Sequence, residues 1–212
     1  NGKLPWKLEW AAKWRTFNIT IEGAGKDHTT KGGSRDVAAA CLRRIFKQKP
    51  PLNIPYEFFL VGGAKMSSSR GVGAAAREIA DLLPAEVLRF LMIRTQPKQP
   101  VNFSPDERSI IKLFNDFDRN HSRVFSDPKM SDDEKSSYYL SEVNPDASEG
   151  PFFDADFQLV LTLKQLPHLD VYGEIEKRKG AVLTDLERNY LERRLRAAAY
   201  WLENYASEDE RI

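Results

Sequence analysis

The sequence predicts an α/β region, built on part of a parallel sheet, that gives way to a mainly α-helical remainder. Three observations carry this. Residues 17–61 run strand, helix, strand, with glycines just after each strand. Beyond residue 73 strand signals fade and helices separated by proline take over. Near the C-terminus, Thr184 and Glu187 stand at capping-box spacing before a long amphipathic segment.

Taken in order, Leu4 to Arg15 carries Trp6, Trp10 and Trp14 at i, i+4, i+8, one face of a helix. Phe17 to Ile21 alternates apolar and polar and predicts a strand ended by Gly23 and Gly25. Asp36 to Lys47 predicts a helix with Ser34 as its N-cap. Pro50-Pro51 is a break, and Tyr56 to Val61 predicts a second strand ended by Gly62-Gly63. Strand, helix, strand with glycines at the carboxyl ends of the strands is half of a Rossmann-like nucleotide-binding sheet.

The helical part follows. Gly73 to Leu83 and Ala85 to Arg94 predict two helices, with Pro84 in the first turn of the second. Gln96 to Pro100 is a connector. Pro105 to Val124 predicts a helix capped by Ser104, with Ile110, Ile111, Leu113, Phe114 and Phe117 facing the core. Residues 126–151 predict a loop holding a short helix around Asp132 to Leu140, and the period of Phe157 to Leu163 fits strand or helix equally. Thr184 caps a helix to about Tyr205 whose apolar stripe runs through Leu186, Leu191, Leu195, Ala198, Ala199 and Leu202. His121 reads as a surface or last-turn residue, His168 as a helix-start residue.

The 212 residues suffice for one large or two small domains. At 41% hydrophobic and 30% charged the composition is ordinary for a globular chain. No run approaches the roughly 18 apolar residues of a membrane span, and the start, Asn1 to Trp6, has neither initiator Met nor signal-peptide pattern, so it reads as the middle of a longer protein. The lone Cys41 allows no internal disulfide and fits a reducing cytoplasm. No Cys/His spacing suggests a bound metal. Net charge is +1, unevenly spread: residues 1–50 hold 11 Lys+Arg against 4 Asp+Glu, residues 101–150 hold 6 against 11. A basic first part suits phosphate-bearing partners such as nucleotide or RNA, and equally a solvated surface.

Chemistry concentrates in Gly62-Gly63-Ala64-Lys65-Met66-Ser67-Ser68-Ser69-Arg70-Gly71. Cations offset phosphate charge, and hydroxyls and backbone N–H groups donate hydrogen bonds. The P-loop alternative fails, because Asp27 follows Gly25-Lys26 where Ser or Thr is required. Upstream, Gly23-Ala24-Gly25-Lys26-Asp27-His28 is a Gly-rich turn with two polar side chains.

Lys65 to Ser69 resembles the second signature of the class I aminoacyl-tRNA synthetases, Lys-Met-Ser-Lys-Ser. Ser68 stands where that signature has its second lysine, and Arg70 is the candidate replacement. Lys-Met-Ser-Ser-Ser followed by a base and glycine is similar to the class I lysyl type. The Gly25, Asp27, His28 turn resembles the Gly-x-Asp-His turn beside the adenylate in that family, and the segments from Pro84 and from Leu183 resemble its connective and anticodon-side helices.

The resemblance implies a lysine–tRNA ligase. ATP, accompanied by Mg2+, and tRNA(Lys) would be its substrates alongside lysine. It implies catalytic roles for Lys65, Ser67, Ser68, Ser69 and Arg70; ATP or adenylate contacts from Gly25, Asp27, His28, Lys65 and Met66; and amino-acid contacts from Trp6, His28 and Tyr56. Trp10 and Trp14 stay in the core. It further implies three parts: residues 1–72 as the second half of the catalytic domain, 73–150 as a connective segment, and 151–212 as the start of a helical anticodon-binding domain. The first signature, His-x-Gly-His, is not made by His28, His121 or His168, so residues 1–212 alone are expected to lack full adenylation activity. Alternatives are an arginyl- or glutamyl-type class I enzyme, or a non-catalytic tRNA-binding paralogue.

Overall fold

The structure, a computed structural model, describes residues 4–65 and 76–211. The chain forms two compact units. One comprises residues up to Phe59 together with Thr95–Val101; the other comprises Leu60–Arg94 and the chain from Asn102 onward.

In the first unit, α1 (Trp6–Thr16) starts after Pro5, whose fixed φ of −54° suits a helix entry and whose carbonyl accepts from the Leu8 and Glu9 N–H groups. It ends where Asn18 takes φ 51°, a left-handed conformation that asparagine tolerates. That turn is why residues 17–21 are not the predicted strand. β1 is Ile21–Gly25, so Gly23 and Gly25 lie inside it. A single helical turn, α2 (Lys26–Thr29), and then α3 (Ser34–Arg44) lead to β2 (Leu52–Tyr56), which pairs with β1 in parallel, Ile21 opposite Leu52 and Gly25 opposite Tyr56. Ser34 is the first residue of α3, with Gly33 at the cap position. Residues 52–56 form a strand despite Pro55; among the described residues β2 pairs only with β1, and an edge strand can lack an N–H on its open side.

Ala11 and Trp14 of α1 pack with Ala38, Ala39 and Leu42 of α3 to make this unit's core. One face of the sheet, carrying Glu22, points to α1. The other carries Ile21, Leu52, Ile54 and Tyr56, all exposed.

The predicted strand 56–61 is broken: β2 ends at Tyr56 and β3 is Phe59–Val61. β3 turns through Gly62 and Gly63, both at positive φ (57° and 78°), into β4 (Ala64–Lys65), with Leu60 opposite Lys65. A two-residue hairpin whose twist matches its strands requires positive φ at both central positions, which glycine adopts without strain. β5 (Val101–Phe103), where only a connector was predicted upstream, lies on the other side of β3.

The second unit is helical beyond this hairpin: α4 (Ala76–Leu82), α5 (Ala85–Ile93), α6 (Glu107–Ser126), α7 (Asp132–Tyr139), α8 (Phe157–Lys164), α9 (Val171–Lys179) and α10 (Asp185–Asn204). Pro84 is the N-cap of α5 rather than its first turn. α6 begins at Glu107 because the Asp106 carboxylate, not Ser104, accepts the Ser109 N–H. Residues 157–164 resolve as helix, capped by Asp156 on the Leu159 N–H. His168 lies in a turn ahead of α9.

The Phe114 and Phe157 rings stack 3.7 Å apart at the centre of the core, and Trp201 ties α10 to the segment before α6 through Nε1 to the Pro105 carbonyl, 2.7 Å. The buried stripe of α10 is centred on Tyr190, Leu191, Arg194, Ala198 and Trp201, leaving the predicted Leu186, Leu195, Ala199 and Leu202 half-buried. His121 is a core residue, not a surface one. It continues the Ile110, Phe114, Phe117 stripe and meets Asp154 through Nδ1 at 2.5 Å.

The predicted cap of α10 is present in full. Thr184 Oγ1 accepts the Glu187 N–H at 3.2 Å, and Glu187 accepts the N–H groups of Thr184 (2.7 Å) and Phe153 (3.0 Å) and the Lys179 ammonium. Burial pushes the Glu187 carboxyl up, but the ammonium and the two amides outweigh it and hold its pKa at about 2, below the ordinary 4.5. A carboxyl lower in the folded than the unfolded chain stabilises the fold above its unfolded value, and that stabilisation is lost as pH falls toward the folded value. Denaturant midpoints should therefore drop between about pH 5 and pH 2. Glu187→Gln should flatten that portion of the profile; an equal slope in both proteins would show that Glu187 is not its source.

Candidate functional site

β1 and β2 are parallel and end together, Gly25 opposite Tyr56. In open α/β sheets ligands gather beyond the carboxyl ends of the strands, and here that edge collects most of the polar and aromatic candidates of the first unit. The chain leaves Gly25 directly into α2, so Lys26, Asp27 and His28 form a helical first turn rather than an open loop. The Lys26 ammonium reaches the Glu57 carboxylate at 2.7 Å and lies 4.8 Å over the Phe58 ring. That ion pair joins the residues following the two strands. Asp27 and His28 are exposed.

The aromatic wall comes from α1. Trp6 is 49% exposed and stacks on Trp10 at 5.8 Å and 24°. Trp10 packs on Trp14 at 5.3 Å, and only Trp14, 2% exposed, lies wholly in the core. The His28 ring stands edge-on to both outer indoles, 5.8 Å from Trp6 and 6.1 Å from Trp10. Trp10 therefore belongs to the wall as well as the core, correcting the assignment of Trp10 to the core alone. Tyr56 is half exposed and its ring lies along β1, where a β-carbon on Gly23 would sit 3.4 Å from it.

The turn after α2 admits no side chain at one point. A β-carbon on Gly33 would stand 2.7 Å from the Thr30 carbonyl and 2.8 Å from that of His28, both backbone atoms. Gly32, at φ 76°, donates its N–H to Asp36 Oδ2 at 2.8 Å, which seats the turn on the start of α3. The Gly32-Gly33 pair thus fixes the backbone that carries His28. Its sequence signal, two glycines ahead of a Ser-headed helix, was available.

Of the predicted site residues, the structure brings Trp6 to His28 and Gly25 to Tyr56, and Asp27 is exposed on α2 next to His28. The Lys65 backbone lies in β4, in the other compact unit. Met66, Ser67, Ser68, Ser69 and Arg70 lie outside the described residues. Glu22, absent from the sequence-predicted set, accepts the Nε1–H of both Trp10 and Trp14. Among the described residues no group of three His, Cys, Asp or Glu is placed to hold a metal ion, and no helix is long and apolar enough to cross a membrane.

Chemically, this edge offers half-exposed indole faces able to take an alkylammonium, a glycine backbone that a ligand can approach closely, and a carboxylate able to accept from hydroxyl or amine. The model of the tRNA synthetases class I (K) matches residues 1–144, a span that contains every residue of this edge. The chain belongs to the class I (K) tRNA synthetases. Among curated relatives, the lysine–tRNA ligase of Archaeoglobus fulgidus is 33% identical over 211 residues, covering 98% of this chain and 40% of its own length. That of Thermoplasma volcanium is 33% identical over 213 residues with the same coverage. Lysine–tRNA ligase 1 of Methanosarcina acetivorans is 39% identical over 143 residues, 66% of this chain and 26% of its own. The chain thus spans about 40% of the length of the first two relatives. Similarity to those two covers 98% of the chain and so runs past residue 144 into α8 to α10.

Proposed function

We propose that this chain is part of a lysine–tRNA ligase that activates lysine with ATP and transfers it to tRNA(Lys). The observation that carries the reading is the indole and imidazole wall at the carboxyl ends of two parallel strands. Trp6, Trp10 and His28 line a surface that fits the aliphatic stem and ammonium of lysine.

In the reaction, a carboxylate oxygen of lysine attacks the α-phosphorus of ATP. The bond to the bridging oxygen breaks, pyrophosphate leaves, and lysyl-adenylate forms. A terminal ribose hydroxyl of the tRNA then attacks the lysyl carbonyl and AMP leaves. Catalysis of this kind is mainly positioning and charge stabilisation. Trp6 holds the side chain; Tyr56, predicted to share that role, lies on the sheet face turned away from α1, alongside Gly23. His28 and Asp27 line the amino acid and the adenylate, and Gly25 lets the nucleotide approach the backbone. Lys65, with Met66, Ser67, Ser68, Ser69 and Arg70, takes the charge of the departing pyrophosphate. Mg2+ enters with ATP as part of the substrate, and no residue here is assigned to it. In the same reading residues 1–72 serve catalysis, 73–150 connect, and 151–212 begin the anticodon-side domain of a cytoplasmic enzyme.

The test is amino-acid-dependent ATP–pyrophosphate exchange by the full-length enzyme. Lysine should support exchange and arginine should not; glutamate, assayed with tRNA present, should not either. Exchange driven by arginine or glutamate, or tRNA binding with no exchange for any amino acid, would replace the reading with one of its rivals.

A further inference from the structure

One partly buried contact links the core of the first unit to its aromatic wall. Glu22 sits on β1, on the face opposite Tyr56. Trp10 Nε1 donates to both of its carboxylate oxygens, at 3.1 and 3.0 Å, and Trp14 Nε1 donates to Oε2 at 2.7 Å. Hydrogen bonds to a carboxylate are stronger and more directional than neutral ones. Trp14 is itself held: its ring lies 5.3 Å from the Arg35 guanidinium, and Arg35 Nη2 donates to the Pro51 carbonyl at 2.7 Å. A chain of fixed contacts therefore runs from β2's entry through Arg35, Trp14 and Glu22 to Trp10. Trp10 then meets the two exposed rings, Trp6 by stacking and His28 edge-on.

We infer that Glu22 is a positioning residue for the amino-acid substrate: it sets the plane of Trp10, and through Trp10 the spacing of Trp6 and His28 that receives the cationic side chain. The inference rests on the lysine-activating reading above. Its physical basis is that an indole has two rotatable side-chain bonds, and a fixed partner for Nε1–H selects one ring plane among those that packing on a half-exposed helix face allows. A ring free to turn presents its edge as often as its face, and a cation is attracted to the face alone. A displacement of about 1 Å at such a wall can change rates or binding by up to about 100-fold. Among the described residues Glu22 bonds to the indoles of Trp10 and Trp14 and to neither Trp6 nor His28, so its effect on substrate passes through Trp10.

The experiment uses the full-length enzyme with Glu22→Ala and Glu22→Gln. Steady-state exchange is measured over a range of lysine and of ATP, together with indole fluorescence and thermal midpoint. Glu22→Ala should raise the KM for lysine about tenfold or more. It should leave kcat at saturating lysine and the KM for ATP within about threefold, and weaken the change in indole emission on adding lysine. Glu22→Gln keeps an amide oxygen that can accept from both indoles and should return the lysine KM toward the parent value. A purely structural role would lower the thermal midpoint and the active fraction at unchanged lysine KM, and that result would overturn the inference. So would a folded Glu22→Gln protein as impaired as Glu22→Ala, since charge rather than ring placement would then be at work. Absence of lysine-dependent exchange in the parent enzyme would remove the underlying reading instead.

Discussion

Lys65→Ala in the full-length enzyme is expected to slow lysyl-adenylate formation by about 10²–10³-fold, the usual loss when one charge-stabilising group is removed from a transition state. The affinity for lysine should change little. The reasoning starts from charge. In the proposed reading, pyrophosphate develops negative charge as it leaves and would meet a cation–hydroxyl run, Lys65 to Arg70, of which the lysine comes first. Lysine acts on phosphate as a compact point charge on a long stem. The backbone at this position leaves the Gly62-Gly63 hairpin as β4 and is registered against Leu60. A group used only as charge develops should appear in kcat and not in the lysine KM. Rapid-quench measurement of adenylate formation separates the two. An unchanged rate would take Lys65 out of the mechanism and leave Arg70 as the cation to test.

Arg194→Ala should destabilise the second unit by about 3–5 kcal/mol, the scale on which breaking a buried ion pair leaves an uncompensated charge. Arg194 is 3% exposed. Its Nη1 donates to Asp118 Oδ2 (2.8 Å) and to the Ala155 carbonyl, and its Nη2 donates to Asp118 Oδ1 and approaches Asp154 Oδ1 at 3.4 Å. Asp154 also meets His121. Burial opposes the charge on Arg194, yet Asp118 and Asp154 outweigh it and hold the guanidinium pKa above its usual range. Burial acts on Asp118 in the opposite sense and raises its carboxyl pKa despite the Arg194 charge. Truncating the arginine leaves two carboxylates and a carbonyl facing a void between α6 and α10. Arg194→Met combined with Asp118→Leu should recover part of the loss, because a pair replaced together by apolar groups avoids the stranded charge. Urea unfolding of the chain measures both. A shift below about 1 kcal/mol for Arg194→Ala would mean that water or side-chain rearrangement relieves the site.

That cluster also marks where reading the sequence ran out. Local signals were legible: the Thr184–Glu187 capping box, the tryptophan periodicity of α1, and the α/β alternation were read from spacings of two to four residues, and each is present in the structure. Arg194 pairs with a carboxylate 76 residues earlier, and no local pattern reports such a distance. His121 was misread because charged Asp118 and Arg119 stand beside it, although its i+4 spacing from Phe117 put it on the core stripe. Strand boundaries failed for backbone reasons. Asn18 turns the chain where alternation predicted extension, and Pro55 is accepted because β2 has an open side. At the candidate site the resemblance supplied Trp6, Asp27, His28 and Tyr56, but Glu22 emerged only from contacts in three dimensions, and for Gly33 the two-glycine signal gave no hint of the collision that excludes a side chain.

The bare side of the first unit's sheet carries its own consequence. Among the described residues β1 and β2 pair only with each other, so each leaves a row of backbone donors and acceptors without a neighbouring strand, beside exposed Ile21, Leu52 and Ile54. Such a ribbon is a template for any passing extended segment. Handled as an isolated polypeptide, these residues would be governed by concentration as much as by temperature, with copies adding edge to edge.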